Sequence, residues 1–494
     1  MTNQIFFKRE LMGRLEPNIL DGLPDENIAC SWCAAQDIAS GRRFDVYFKT
    51  FYLRMREKNL ELARRVYLEH IKVFSAGAYR ESGNLEKVSP DAYLRQFDQI
   101  SSKIHEKGFD SAISLIPCSV NGVICNGAHR LASAIVFGQN VALVHCPSEG
   151  PNYDFRYFLD RGLDPYFADI AATEFVEISP NSFIALLWPS AEGKDELVDT
   201  MLGNVVYKKN IFLNLNGAKN LMTQVYALMK WIGSPDSDYQ GVQAYVGRCF
   251  NKAGALRVIT FIGTDLNTVV ETKTRIRELF GIGNSAIHIS DTHSEAISLA
   301  RLLFNDRALH FLIHANPNKY SSFRRKYGIF ADFLRKQGID GSDAVLDTGM
   351  VLASYGLRDA DDIDYLVSHE LHDYQAFSMD GKDQLNSHTS DLIYHGVSRE
   401  DLIYDPLYHY YFGSVKLVSF NQLYHMKKSR AGSKDLLDLT LMDSHLEKRL
   451  LRELLVRVKQ RMLYARVRCR RLLVDAIAAV GLYNIAKKIY KKVF

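Results

Sequence analysis

The spacing of apolar residues changes character three times along the chain. In residues 1–100 it is helical: FDVYFKTFYLRMREKNLELARRVYLEHIKVFS repeats apolar side chains every three to four positions. YLRQFDQISSKIHEK continues that pattern until Gly108 stops it. From Ile113 onward, AISLIPCSV, GVICN and NVALVHC read as short strands broken by Asn-Gly, Gly and Pro, with a helix over HRLASAIVFG. NSFIALLWPSAEGKDE reads as an element end followed by a polar turn. Between about 205 and 330, VVYKKNIFLN, ALRVITFIG, SAIHIS and ALHFLIHA read as strands alternating with three amphipathic helices. That alternation predicts βα units in a parallel or mixed sheet. Beyond 331, AVLDTGMVLASYG and DDIDYLVS are adjacent short elements, and HYYFGSVKLVSF is a strand pair.

These changes predict a multidomain α/β and α+β chain. Its parts are a helical region 1–100, a strand-and-helix domain 101–200, a central α/β domain 201–330, a further domain of short elements 331–445 and a basic helical tail 446–494. A length of 494 residues fits more than one domain. The aromatic content, 27 Phe and 26 Tyr, excludes disorder as the main state. Seven Cys make no disulfide framework, and the odd count fits a reducing compartment. The net charge of +4 hides an asymmetry: residues 446–494 carry 14 Lys and Arg against 3 acidic residues, so the rest of the chain is mildly acidic. No signal peptide or membrane span is expected. In LYNIAKKIYKKVF, Leu482, Ile485, Ile489 and Val493 fall on one helical side and the lysines largely on the other. That is the pattern of an interfacial helix at an anionic membrane, although a packed helix or a nucleic-acid arm has the same composition. The expected location is cytoplasmic, peripheral at the inner membrane face.

The first candidate chemistry lies in Cys125-Asn126-Gly127-Ala128-His129-Arg130, where a short strand meets a helix. Backbone N–H groups at a helix start attract anions, and Arg130 can grip a phosphate with two bonds. Gly127-Ala128-His129-Arg130 resembles the Gly-x-His-Arg signature of the ParB/sulfiredoxin-like family, over roughly residues 100–165. The resemblance implies nucleotide-phosphate binding by Gly127, Ala128, His129 and Arg130. Ala128 stands where sulfiredoxins carry the reactive Cys, which excludes sulfinic-acid repair. A kinase-like branch would add carboxylates, and Glu106 and Asp110 are the nearby candidates for a base or for Mg²⁺.

The second is LDTGMVLASYGLRDADDIDYLVS. On a strand, Asp362 and Asp364 point to one face and can share a divalent cation. Gly349 followed by Asp362-Ile363-Asp364 resembles the nucleotidyltransferase superfamily, over about residues 330–445. That resemblance implies Mg²⁺ on Asp362 and Asp364, with a third carboxylate from Asp405 or Asp391. It also implies a nucleoside triphosphate (ATP or CTP) held near Gly349, Ser354, Arg358 and Lys434. The superfamily's Ser after the first Gly is Met350 here. Lys434-Asp435 and Asp438 resemble the Lys-Asp-x-x-Asp helix that closes such domains.

A third cluster, His288, Asp291, His293 and Glu295, follows an apolar run, where it reads as a metal site, a substrate pocket or a capped helix start. Three signals are discounted. Cys30-x-x-Cys33 has no second pair, His369-Glu370-Leu371-His372 is not HExxH, and Gly281-Ile282-Gly283 lacks a third glycine. The expected function is Mg²⁺-dependent phosphoryl or nucleotidyl transfer to a small polar or lipid-linked saccharide acceptor, in cell-envelope polysaccharide synthesis. The two nucleotide signals fit either a bifunctional enzyme or one active and one vestigial domain. The competing class is a nucleic-acid-binding regulator related to partition proteins.

Overall fold

A computed structural model describes residues 4–80, 87–368, 378–379, 383–443 and seven positions of the tail. The chain is a mixed α/β fold built on three sheets. The first has the order β1 (Gln4–Phe6), β2 (Ile28–Ala34), β4 (Asn140–Cys146), β3 (Ile116–Ser119). Only its β3/β4 pair is parallel. The region 1–100, expected to be helical, therefore contributes two strands. Cys30 and Cys33 lie on β2, where its neighbour β4 comes from more than a hundred residues downstream. The expected helices follow as Asp45–Met55, Leu60–Phe74 and Pro90–Lys107. Gly108 ends the last of these at φ 77°, a conformation that costs glycine little. The expected strand GVICN makes only an isolated bridge, Cys118 to Ile124.

The second sheet corrects the expectation of parallel strands. Its order is β6 (Asn204–Ile211), β7 (Leu256–Ile262), β5 (Ser182–Leu187), β8 (Ile287–Ile289), and every pairing is antiparallel. Helix Asp195–Leu202 links β5 to β6 and helix Leu266–Phe280 links β7 to β8. β7 lies between β5 and β6, so this is a split βαβ arrangement. Alternation of strands and helices is the same in both topologies, which is why the sequence pattern misleads. ALHFLIHA, expected as a strand, belongs to helix Asp306–His314. Asn305 caps it, accepting from the backbone N–H groups of Arg307 and Ala308.

The third sheet runs β11 (Ser378–Met379), β12 (Asp383–Ser387), β10 (Ile363–Val367), β9 (Ala344–Leu346), β14 (Val415–Val418), β13 (His409–Phe412). β10 is antiparallel to β9 and parallel to β12. One apolar core contains Phe44 and Phe175, Ile184 of β5, Phe311, Val345 of β9 and Ile363 of β10, while the first sheet packs on two clusters of its own. Burial of this continuous core holds the second and third sheets together with the first helices. No helix among the described residues is long and apolar enough to cross a membrane.

Candidate functional site

The carboxylates of the third sheet meet a group of residues that the motif alone does not reveal. β9 runs straight into Asp347, Thr348 and helix Gly349–Ser354. Asp347 is wholly buried. Its Oδ2 lies 3.2 Å from His388 Nδ1 and 2.9 Å from His395 Nε2, and its Oδ1 accepts from the Thr348 N–H at 2.8 Å. Asp364 stands on β10, alternating with the core residues Ile363 and Tyr365, and accepts a short hydrogen bond from the Thr348 hydroxyl. Asp362, two residues earlier, accepts from Asn386 Nδ2 at 3.0 Å. Asn386 lies directly opposite Asp364 on the parallel strand β12. Just past β12, His388 Nε2 sits 3.0 Å from Asp391 and 4.0 Å from Asp364. Arg430 closes the outer side, donating to Asp391 at 2.7 Å.

The electrostatics follow from this packing. Burial pushes the Asp364 carboxyl above its ordinary range, and the neighbouring Asp362 and Asp347 add to that against His388 and Thr348. Burial acts the same way on Asp347, but His395 and His388 outweigh it and hold Asp347 well below the usual carboxylate range. For His388 burial favours the neutral ring, yet the bond to Asp347 and the charges of Asp347, Asp364 and Asp391 raise it overall. Thr348 adopts φ 45°, ψ −113°, a strained backbone for a β-branched residue, and such strain gathers at functional sites. The expected glycine is less constrained: a Cβ on Gly349 would meet Ala360 at an ordinary 3.4 Å.

The other residues expected around this site divide. Arg358 donates to Asp438 at 2.6 and 3.0 Å and lies close enough to Asp361 and Asp362 to feel their charge. Lys434 pairs with Asp361 at an exposed position, 2.6 Å away. Both stay at the edge of the acidic loop. Ser354 does not: it is buried and bonds to the Val351 carbonyl and Tyr410 hydroxyl, so it packs the core rather than facing a phosphate. Asp405, expected as the third carboxylate, is committed elsewhere. It is fully buried, accepts from Tyr166 Oη at 2.6 Å and from Arg65, and ties this region to the N-terminal helices. Asp391 instead joins the cluster through His388. In the Lys-Asp-x-x-Asp helix, Asp435 and Asp438 bind Lys427 at 3.0 and 2.7 Å, a buried clasp.

The glycine loop at 127–130 forms as expected between a bridge and helix Ala128–Val136, with Gly127 at φ 86°. Its side chains, however, turn inward. His129 Nε2 bonds Tyr67 Oη at 2.8 Å. Arg130 folds back over Gly127 and donates to Ser114 Oγ, the Leu115 carbonyl and Glu16. Burial, aided by Lys87 and Lys49, pushes the His129 imidazole far below its usual range, so it stays neutral. Ala128 is core. Glu106 is exposed on its helix, and Asp110 caps a local turn through the Ala112 N–H. Neither bonds to the loop among the described residues, so the structure does not bring an expected base to Arg130.

In the central region His288, Asp291 and Glu295 line one cavity of about 760 Å³. His288 Nε2 bonds Glu295 at 2.9 Å, Asp291 pairs with Lys273 at 3.0 Å, and Thr292 caps the helix at Glu295. His293 turns away to the Val176 carbonyl. Among the described residues no group of three or more His, Cys, Asp or Glu is arranged to hold a metal ion. The tail falls largely outside the described residues. Its described positions, Val458, Met462, Ala465, Cys469, Leu472, Leu473 and Ala476, are helical and exposed. Leu482–Val493 and the lysines beside them lie outside. His369–His372 do too.

No family model, no curated protein and no solved structure matches this chain.

Proposed function

We propose that residues 331–445 form a transfer centre that moves a nucleotidyl or phosphoryl group from ATP or CTP to a polar or saccharide acceptor. The observation that carries the reading is the place of Asp364 on β10, buried against Asp347 and His388, with Asp362 just before the strand and near enough for its charge to act on Asp364. A buried carboxylate crowded by two others is costly, and a bound cation would relieve it. The residues fit Mg²⁺ in particular, which takes one or two carboxylates and completes its shell with water and substrate phosphates. The lack of a three-ligand protein cage is therefore no obstacle. Asp362 and Asp364 would hold the ion, which when bound supplies charge neutralisation of the triphosphate.

The chain's own groups have the remaining tasks. Thr348 fixes one oxygen of Asp364, and Asn386 fixes one of Asp362. Asp347 at Nδ1 and Asp391 at Nε2 hold the His388 ring beside Asp364, and the proton of an attacking hydroxyl passes to water. The acceptor oxygen forms a bond to phosphorus, and pyrophosphate or a nucleoside diphosphate leaves. Arg358 and Lys434, at the edge of the acidic loop, offer positive charge to an entering phosphate. Supporting a cytoplasmic protein that touches an anionic membrane is the tail's composition, together with its exposed apolar positions at three-to-four spacing. The test is consumption of each nucleoside triphosphate by the full chain with Mg²⁺, in parent and Asp364→Asn, with products identified by mass spectrometry. Equal turnover by the variant would remove this centre from the chemistry.

A further inference from the structure

The cavity of about 760 Å³ falls within the size range of small-molecule sites. It lies beside His288 of β8, the edge strand of the second sheet, and against the β13–β14 hairpin, whose Tyr411 and Gly413 contribute to its wall. β13 is three strands from β10, about 14 Å at the usual strand spacing. The cavity is therefore separate from the Asp362–Asp364 centre.

Its walls combine two chemistries. One wall is aromatic: Tyr226, Trp231 and Tyr245 lie with ring centroids 5.1 to 5.7 Å apart, at steep mutual angles. Trp231 is 45% exposed, so one of its surfaces is open to a ligand. The other chemistry is cationic. Lys273 is paired with Asp291 and Glu295 faces His288, whereas Arg248 and Arg277 have no carboxylate within salt-bridge distance among the described residues. Arg248 rests over the Tyr245 ring at 5.2 Å. Arg277 donates from one end to the Ile287 carbonyl at 3.4 Å, and its Nε is buried with no acceptor. Gln224 has the same defect: its Oε1 accepts from the Gly413 N–H, while its Nε2 is buried and unsatisfied. Buried donors without acceptors cost free energy in the empty site. An anion beside them would restore those bonds, and a ring against Trp231 would cover the open apolar face.

We propose that this cavity binds an organic phosphate carrying a ring, either a sugar phosphate or a nucleotide. The positive surplus of Arg248 and Arg277 selects the phosphate, and the aromatic wall selects the ring. Neither element depends on Mg²⁺ or on Asp364, so the proposal stands apart from the transfer reading.

The experiment titrates the full chain, in EDTA, with glucose 1-phosphate, uridine monophosphate and inorganic phosphate. Tryptophan fluorescence and isothermal calorimetry are the readouts. At least one ring-bearing phosphate should bind and change the Trp231 emission, and inorganic phosphate should bind more weakly. The tighter of the two organic probes identifies the source. Trp231→Phe should abolish the optical change. Arg277→Gln should weaken binding about tenfold or more, as for a lost charge-assisted contact. Arg248→Gln, at an exposed position tolerant of change, should weaken it in the same direction. Asp364→Asn should bind like the parent. No binding of either organic probe at millimolar concentration would overturn the proposal. So would equal affinity for inorganic phosphate, or parental affinity in folded Arg248→Gln and Arg277→Gln proteins.

Discussion

Replacing Asp347 by Asn removes one charge from the middle of the His388–Asp347–His395 arrangement and keeps the shape. Asp347 is fully buried, so water cannot take over its role. Its Oδ2 serves both imidazoles. Hydrogen bonds to a charged group are worth about 1.5–3 kcal/mol each, and an amide oxygen keeps part of each. At pH 8 the expected loss is about 2 kcal/mol. At low pH it is larger, for a reason whose sign is fixed by His388. In the parent, Asp347 raises His388 above its unfolded value, about 6.5. That contribution to stability is fully present below the unfolded value and disappears as pH rises through the folded one. Without Asp347 burial is opposed only by the charges of Asp364 and Asp391, and protonating His388 becomes less favourable. Breaking a buried pair by removing one partner costs about 3–5 kcal/mol, so the loss at pH 5.5 should approach about 4 kcal/mol. Urea unfolding of parent and variant at both pH values measures the difference. A loss under about 1 kcal/mol at either pH, or one that does not grow on acidification, would refute the coupling.

Three further outcomes follow from the same contacts. Arg130→Ala should destabilise the first sheet's packing by about 1–3 kcal/mol, because Arg130 bonds to Ser114, the Leu115 carbonyl and Glu16; thermal denaturation reads this. Gly127→Ala should cost about 1–2 kcal/mol, since φ is 86° and a Cβ would press on Arg130 at 3.0 Å; the same scan tests it, and an unchanged midpoint would contradict the loop conformation. A chain ending at residue 445 should stay soluble and lose binding to anionic liposomes, while the full chain should bind them and release as salt rises; flotation against duplex DNA as competitor separates lipid from nucleic acid.

What the sequence made legible was local. The strand pair at 409–418 and the helix stop at Gly108 depend on neighbours within a few residues, and they stand as expected; β10 starts at Ile363, so of the two carboxylates expected on one strand only Asp364 lies within it. β2 was missed because IACSWCA alternates weakly, and only pairing with β4 makes it a strand. The antiparallel order of the second sheet is a long-range choice that no period encodes. The same is true of the site. His388 and His395 reach Asp347 from 41 and 48 residues away, and neither belongs to the Asp-x-Asp pattern. The sequence analysis singles out none of the three, although Asp347 ends the apolar run AVL just before Thr348-Gly349. The inward turn of His129 was equally hidden, since its partner Tyr67 lies on another helix.

The central claim is that Asp362 and Asp364 sit at a metal-dependent transfer centre. The most direct measurement is Mg²⁺-dependent release of pyrophosphate or nucleoside diphosphate from ATP and CTP, offered with a panel of saccharide acceptors. It compares the full parent chain with Asp364→Asn, both shown to be folded. The account predicts turnover in the parent that requires Mg²⁺ and falls at least about a thousandfold in the variant, about 4 kcal/mol of transition-state stabilisation. Turnover that survives Asp364→Asn, or that proceeds equally in EDTA, would contradict it.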